Sequence, residues 1–258
     1  MGARFSTIED TIGIITLDNG RVNALNKSLL DEITSALIAL RSSPVRVVIL
    51  RALPGTKVFS AGHDVNELPT NGRDPLTYTD PLRQVVREIE HCPVPVIAMV
   101  EGSVWGGACE LVLGCDLIVA ASDSTFALTP ARLGVPYDIQ GALNFMKVVG
   151  IHLLKEMLFT ADPIPAARLE AYGVLNYVVP RKNLESFTLE MAARIARNSP
   201  LVHRVLKEEM RALANAHPLT PETYERLQAL RREVYDSEDY QEGIRAFKEK
   251  RPPDFQGS

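Results

Sequence analysis

Residues 94–116, VPVIAMVEGSVWGGACELVLGCD, run from an almost unbroken apolar stretch through a turn of glycines and small residues into a short amphipathic segment. Residues 94–100 lack the alternation of a strand with one wet face, so they read as a strand buried on both sides, the habit of parallel sheets covered by helices. Residues 109–113 read as a helix. The turn before it, Trp105-Gly106-Gly107-Ala108, would hold unpartnered N–H groups at the positive end of that helix's dipole. A strand that feeds a glycine-rich turn at a helix start is where α/β sheets meet ligands.

The same alternation extends outward in both directions. Residues 12–17 and 45–51 are β-branched and apolar, and between them Leu30, Ile33, Leu37 and Leu40 recur at helical spacing, with Asn26 or Ser28 as cap. A helix of that length crosses back and sets the two strands parallel. Leu82, Val85, Val86 and Ile89 mark a second helix closed by Cys92-Pro93, and residues 116–121 a further strand. Past Gly150 the pattern turns helical, over 151–159, 165–172, 184–198, 201–216, 221–235 and 238–250, with residues 174–179 as the one strand-like run. The expectation is an α/β core over residues 1–195 and a helical region over 196–258, without a Ser/Gly-rich linker or a solenoid repeat.

Composition narrows the function classes. At 258 residues, 46% hydrophobic and 23% charged, the chain is neither disordered nor fibrous. Its 28 Lys and Arg against 32 Asp and Glu give a net charge of -4, which supplies no broad basic surface for nucleic acid, so an anionic ligand must be held locally. Cys92, Cys109 and Cys115 are odd in number and widely spaced, which argues against a disulfide framework and for a reducing, cytoplasmic compartment. Neither they nor His91 show zinc-ligand spacing. No apolar run reaches membrane-spanning length, and acidic residues stand where a signal peptide needs an apolar stretch.

A second glycine-bearing segment, KVFSAGHDV at residues 57–65, also leads from a strand toward a polar loop. Alone, Ala61-Gly62 reads most simply as a tight connection. Beside the turn at 105–108 it gains weight, because two N–H donors from separate loops can make an oxyanion hole.

Five ordered motifs, NGRVNALN (19–26), VFSAGHD (58–64), GSVWGGACEL (102–111), ASDSTFALTPARLGV (121–135) and FKEKRPPDF (247–255), resemble the crotonase superfamily of enoyl-CoA hydratases and isomerases over nearly the whole chain. The resemblance implies a spiral ββα core with C-terminal helical trimerisation elements, in a homotrimer or a homohexamer built as a dimer of trimers. It also implies an acyl-CoA substrate. The backbone N–H groups of His63 and Gly107 would form the oxyanion hole for the thioester carbonyl, with Ala61, Gly62, Asp64, Val65 and Thr129 also lining the substrate site. A side-chain role for His63 as general base is the competing reading. Lys250 would reach a CoA phosphate, although a cation at a helix C-terminus is favoured with no ligand at all.

Departures from the hydratase pattern point to the reaction. Of the two glutamates a hydratase uses to add water, one matches Glu110 and the other falls on Pro130. His63, the Trp105-Gly106-Gly107 turn, Gly134-Val135-Pro136-Tyr137 and VYDSEDY (234–240) resemble the branch that decarboxylates methylmalonyl-CoA. The expected reaction therefore gives propionyl-CoA and carbon dioxide, without metal, biotin or other prosthetic group, CoA arriving with the substrate. Loss of carbon dioxide itself generates the enolate, so no base is needed. Tyr137 would orient the carboxylate or help reprotonate carbon, against a plain packing role, and Glu110 would hydrogen-bond Tyr137 or serve as a structural core glutamate. Hydration and thioester hydrolysis are the competing activities. An RNA-binding protein of the same fold would call for a Lys/Arg-rich helix face that the acidic balance does not clearly supply.

Overall fold

The computed structural model describes residues 2–68, 79–137, 139–214 and 220–256. Its strands are β1 (Gly2–Ile8), β2 (Ile12–Asp18), β3 (Val47–Ala52), β4 (Val58–Ser60), β5 (Val96–Val100), β6 (Ser103–Trp105), β7 (Leu117–Ala121), β8 (Thr125–Ala127), β9 (Ile164–Pro165) and β10 (Tyr177–Val179). Its helices are α1 (Lys27–Ala39), α2 (Pro81–Glu90), α3 (Gly107–Leu113), α4 (Ile139–Val148), α5 (Ile151–Thr160), α6 (Ala166–Ala171), α7 (Leu184–Ala196), α8 (Pro200–Ala214), α9 (Pro221–Tyr235) and α10 (Glu238–Glu249).

One sheet has six strands in the order β1-β2-β3-β5-β7-β10, and the other four in the order β4-β6-β8-β9. Except for β1 and β9, which pair antiparallel at the edges, all neighbours run parallel. Successive strand pairs β3–β4, β5–β6 and β7–β8 each give one strand to each sheet, and the first two are followed by α2 and α3. This is a spiral of ββα turns. Helix α1 starts where Asn26 caps it, its side chain accepting from the Leu29 N–H at 3.0 Å.

Two cores explain the unbroken apolar runs. Ile15, Leu17, Val48, Leu50, Ala98 and Val100 face one way, into the main core with α1, α2 and α3. Their neighbours Ile14, Val47, Ile49, Ile97 and Met99 face the other way, against Leu184, Met191 and Ala192 of α7. Both faces of the central strands are therefore dry, and period-2 alternation disappears.

The structure departs from the sequence reading where segments are short or polar. Strand β1 was not expected, because its pairing face is set by a turn through Glu9 and Asp10, both at positive φ, and most of its residues are exposed. The strands β4, β6 and β8 are three residues each, too short to show periodicity. Helix α4 was missed because Gly141 and Asn144 dilute its pattern. The helix expected over 165–172 begins at Ala166, after Ile164–Pro165 has paired with β8. The strand expected over 174–179 covers only Tyr177–Val179, since Val174 and Leu175 turn into the core. Helix α3 starts two residues early, at Gly107. Residues 215 and 216 of the helix expected over 201–216 lie outside the described residues.

The C-terminal end is held by charge. Glu242 on α10, with 9% of its side chain exposed, accepts from Arg245 at 2.5 Å, from Arg251 at 2.5 Å and from the Asp254 N–H at 3.0 Å. The Arg251 and Arg245 guanidinium groups and that N–H hold its carboxyl well below the usual carboxylate range. A folded-state value lower than the unfolded one makes the contribution complete above the ordinary carboxylate pKa and lost as pH falls toward the folded one. In thermal melts at descending pH, Glu242→Gln should show a shallower acid-side fall in Tm than the unaltered protein. Parallel curves would rule this anchor out.

Candidate acyl-thioester site

A largely apolar cavity of about 650 Å³ opens between the turns that follow β4 and β6. Ala61, His63, Asp64, Val65, Gly107, Glu110, Thr129 and Tyr137 line it, together with Trp105, Pro130, Val135 and Phe247. Eight of the ten site residues expected from sequence thus meet in one place. Gly62 lies directly behind the wall. Lys250 is not among the lining residues; it is the exposed left-handed residue that closes α10, three positions beyond Phe247.

The turn after β4 is pinned from one side. The Ala61 N–H donates to the Val22 carbonyl at 2.8 Å, the Leu25 N–H to the Gly62 carbonyl at 2.8 Å, and the Asp64 N–H to the Leu25 carbonyl at 3.3 Å. Buried Asn23 braces the same strand by donating from Nδ2 to the Phe59 carbonyl at 3.0 Å. Because Leu25 bonds to the groups on either side of His63, the His63 N–H is turned away from residues 22–25, as alternation along an extended chain requires. Gly107 opens α3, where a helix leaves its first N–H groups without intrahelical acceptors. Gly62 keeps the two turns close. Its φ is +84°, and a Cβ there would stand 2.4 Å from the Trp105 carbonyl oxygen and 3.1 Å from Gly107 N. A Cβ on Gly107 would in turn lie 3.6 Å from His63 N. The His63 and Gly107 backbone nitrogens therefore lie near each other at the cavity wall, and two N–H donors so placed can stabilise charge developing on one oxygen.

Glu110, three residues beyond Gly107 on α3, is buried at the cavity wall, and the Tyr137 hydroxyl donates to its Oε2 at 3.2 Å. The Tyr137 ring meets Phe145 edge-on at 5.4 Å between centroids. Pro130, where the family resemblance places a second hydratase acid, begins a short 3-10 turn and carries no titratable group. Cys109, two residues beyond Gly107 on α3, does not line the cavity, and burial pushes its thiol up to about 12, so it is no nucleophile at neutral pH. Among the described residues, no group of three or more His, Cys, Asp or Glu is arranged to hold a metal ion.

Sequence reasoning missed the wall supplied by α2. Asp80 caps that helix, accepting from the Leu82 N–H at 2.8 Å, and Leu82 packs against Gly107 in the cavity. Burial raises the Asp80 carboxyl, while the nearby His63 imidazole and the Leu82 N–H draw it back down. His63 Nδ1 is buried without a hydrogen-bond partner. Asp80-Pro81 was readable as a helix start, with a capping Asp before Pro at the first helical position. Nothing in sequence spacing joined Asp80 to His63 seventeen residues upstream or to Gly107 twenty-seven downstream.

The close packing at Gly62 carries a test. Gly62→Ala should force the Trp105–Gly107 turn outward and lower kcat by about 10²-fold, the cost typical of one misplaced oxyanion donor, while binding of an inert acyl-CoA thioether changes little. A folded variant with ordinary turnover would show that the two N–H groups do not act together.

Residues 7–258 match the enoyl-CoA hydratase/isomerase family. The chain is 53% identical over 247 residues to the methylmalonyl-CoA decarboxylase of Escherichia coli K12, covering 95% of each. It is 31% identical over 259 residues to the mitochondrial methylglutaconyl-CoA hydratase of Mus musculus, covering 96% of this chain and 81% of the relative. A solved structure of methylmalonyl-CoA decarboxylase in complex with 2-nitronate-propionyl-CoA superposes with a TM-score of 0.97 at 51% identity, covering 100% of this chain and 99% of the other. Two glycine-held N–H groups over an apolar cavity, on a spiral of ββα turns, therefore coincide with sequence and structural likeness along the full length: the chain belongs to the enoyl-CoA hydratase/isomerase family.

Proposed function

We propose that this protein decarboxylates methylmalonyl-CoA to propionyl-CoA and carbon dioxide. The observation that carries the reading is the pairing of two backbone donors with a cavity that keeps Glu110 on Tyr137 and has Pro130 in place of a second acid. That half-site suits a reaction that needs charge stabilisation and no attacking water.

The thioester oxygen accepts from the His63 and Gly107 N–H groups. When the carboxylate stands out of the thioester plane, its C–C bond breaks, the electron pair enters the enolate and the negative charge moves onto that oxygen. Each preorganised donor lowers the barrier by about 3 kcal/mol in such settings. Mostly apolar walls solvate the departing carboxylate poorly and the neutral carbon dioxide well. A proton then adds at the enolate carbon, with Tyr137 and Thr129 as the hydroxyl groups at the cavity wall. No prosthetic group enters the scheme, and the CoA portion arrives with the substrate, with Lys250 as its expected phosphate contact.

The same reading places the protein in the cytoplasm as a homotrimer or dimer of trimers. Cys92, Cys109 and Cys115 are buried and unpaired, and no described helix is long and apolar enough to cross a membrane. Helix α8 buries none of its residues in the single chain, and Val202, Val205, Leu206, Met210 and Leu213 on it are all at least 45% exposed. An apolar stripe of that extent is the mark of a protein interface, and a second and third copy of this chain are its proposed cover.

Two measurements test these statements. Methylmalonyl-CoA should release carbon dioxide while crotonyl-CoA is hydrated slowly or not at all, and Tyr137→Phe should lower kcat with KM nearly kept; fast hydration without carbon dioxide would overturn the assignment. Light scattering should give three or six times the 28.4 kDa chain mass, falling on Leu206→Glu/Met210→Glu. A single-chain mass for the unaltered protein would remove the assembly.

A further inference from the structure

Helix α4 carries a glycine in its first turn for which the backbone gives no reason. Gly141 lacks the positive φ that would demand glycine, and alanine is the better helix former. What excludes a side chain is its surroundings. A Cβ at this position would stand 2.6 Å from Cε1 of the Tyr137 ring and 3.3 Å from each carboxylate oxygen of Glu110. The ring lies across the bare helix surface, and one turn further on, at i+4, Phe145 stops it edge-on at 5.4 Å. Phe145 is itself 1% exposed and held in the main core, so the ring has no room to retreat on that side. With the ring on this seat, the Tyr137 hydroxyl reaches Glu110 at 3.2 Å.

We propose that Gly141 is a positioning residue for the reaction: its missing side chain is the seat on which the Tyr137 ring lies, and so fixes where the phenol hydroxyl stands against Glu110 and the cavity. This rests on the role given to Tyr137 above and deepens it. Gly141 touches no reacting atom; it acts through the tyrosine. A methyl group there would push the ring away by about an ångström, from 2.6 Å to an ordinary contact, and press an apolar group against the Glu110 oxygens. The loss would fall on orientation of the carboxylate and delivery of the proton, leaving the remote CoA portion in place.

The test is Gly141→Ala beside Tyr137→Phe and the double variant, with melting curves, steady-state kinetics on methylmalonyl-CoA and a crystal structure. Gly141→Ala should keep or raise Tm, lower kcat by about 10²-fold as expected for a group displaced by an ångström, and leave KM nearly unchanged. The double variant should be no slower than Tyr137→Phe, because both changes remove the same contribution. Unchanged kcat, or losses that multiply in the double variant, would overturn the proposal. If Gly141→Ala instead melts early, Gly141→Ala/Tyr137→Ala should recover Tm, and failure to recover would place the clash elsewhere. The crystal structure separates this proposal from the reaction itself. A Tyr137 hydroxyl still bonded to Glu110 in Gly141→Ala refutes the seat whatever the enzyme catalyses, whereas a displaced ring in a protein that releases no carbon dioxide refutes only the decarboxylase reading.

Discussion

The site depends on one short parallel pairing. Val58 pairs with Ser103 and Ser60 with Val104, a register that shifts by one residue between the two pairs, and the turns that follow these neighbouring strands leave the sheet together. Both proposed donors, His63 and Gly107, lie just downstream of that register. Gly62 comes close to the Trp105 carbonyl because the two turns leave neighbouring strands, and the His63 and Gly107 backbone nitrogens are brought near each other for the same reason. A side-chain catalyst can be moved by a rotamer. A pair of backbone donors can be placed only by the strands beneath them, which explains why so much hydrogen bonding from residues 22–25 is spent on a four-residue turn.

The placement of the carboxylates follows a different logic. Glu110 and Asp80 are both buried beside the cavity, yet both have donors at hand, the Tyr137 hydroxyl for one and the Leu82 N–H for the other. A buried carboxylate without such partners would carry a penalty of several kcal/mol, about the size of the benefit expected from either oxyanion donor. The cavity is apolar as a whole and polar at a few fixed points, so the points keep their orientation when substrate displaces water.

Sequence made the site more legible than the fold around it. Strands β2, β3, β5 and β7 announced themselves as apolar runs, and the glycines of the two turns stood out because they follow such runs. The second sheet did not, since three residues such as Thr125–Ala127 are below the length at which any period can be counted. Family motifs then supplied what spacing alone withheld, namely the expectation that His63 and Gly107 act together although forty-odd residues separate them. The α2 wall stayed hidden for a physical reason: Asp80 and Leu82 reach the site through packing of a helix end, and helix ends carry a capping signal with no indication of what they pack against. Gly141 was hidden in a similar way, as a residue whose importance is the volume it leaves empty.

Cys109 sits two residues along α3 from Gly107, yet it is not among the residues that line the cavity. A thiolate open to the cavity would attack the carbonyl carbon of a bound thioester, moving the acyl group onto the protein and expelling the original thiolate. Its burial, with the thiol turned to the Val104 and Ala127 carbonyls at 3.5 Å each, keeps the sulfur protonated and faced inward. The fold thereby withholds from the cavity a thiol that could trap an acyl group covalently.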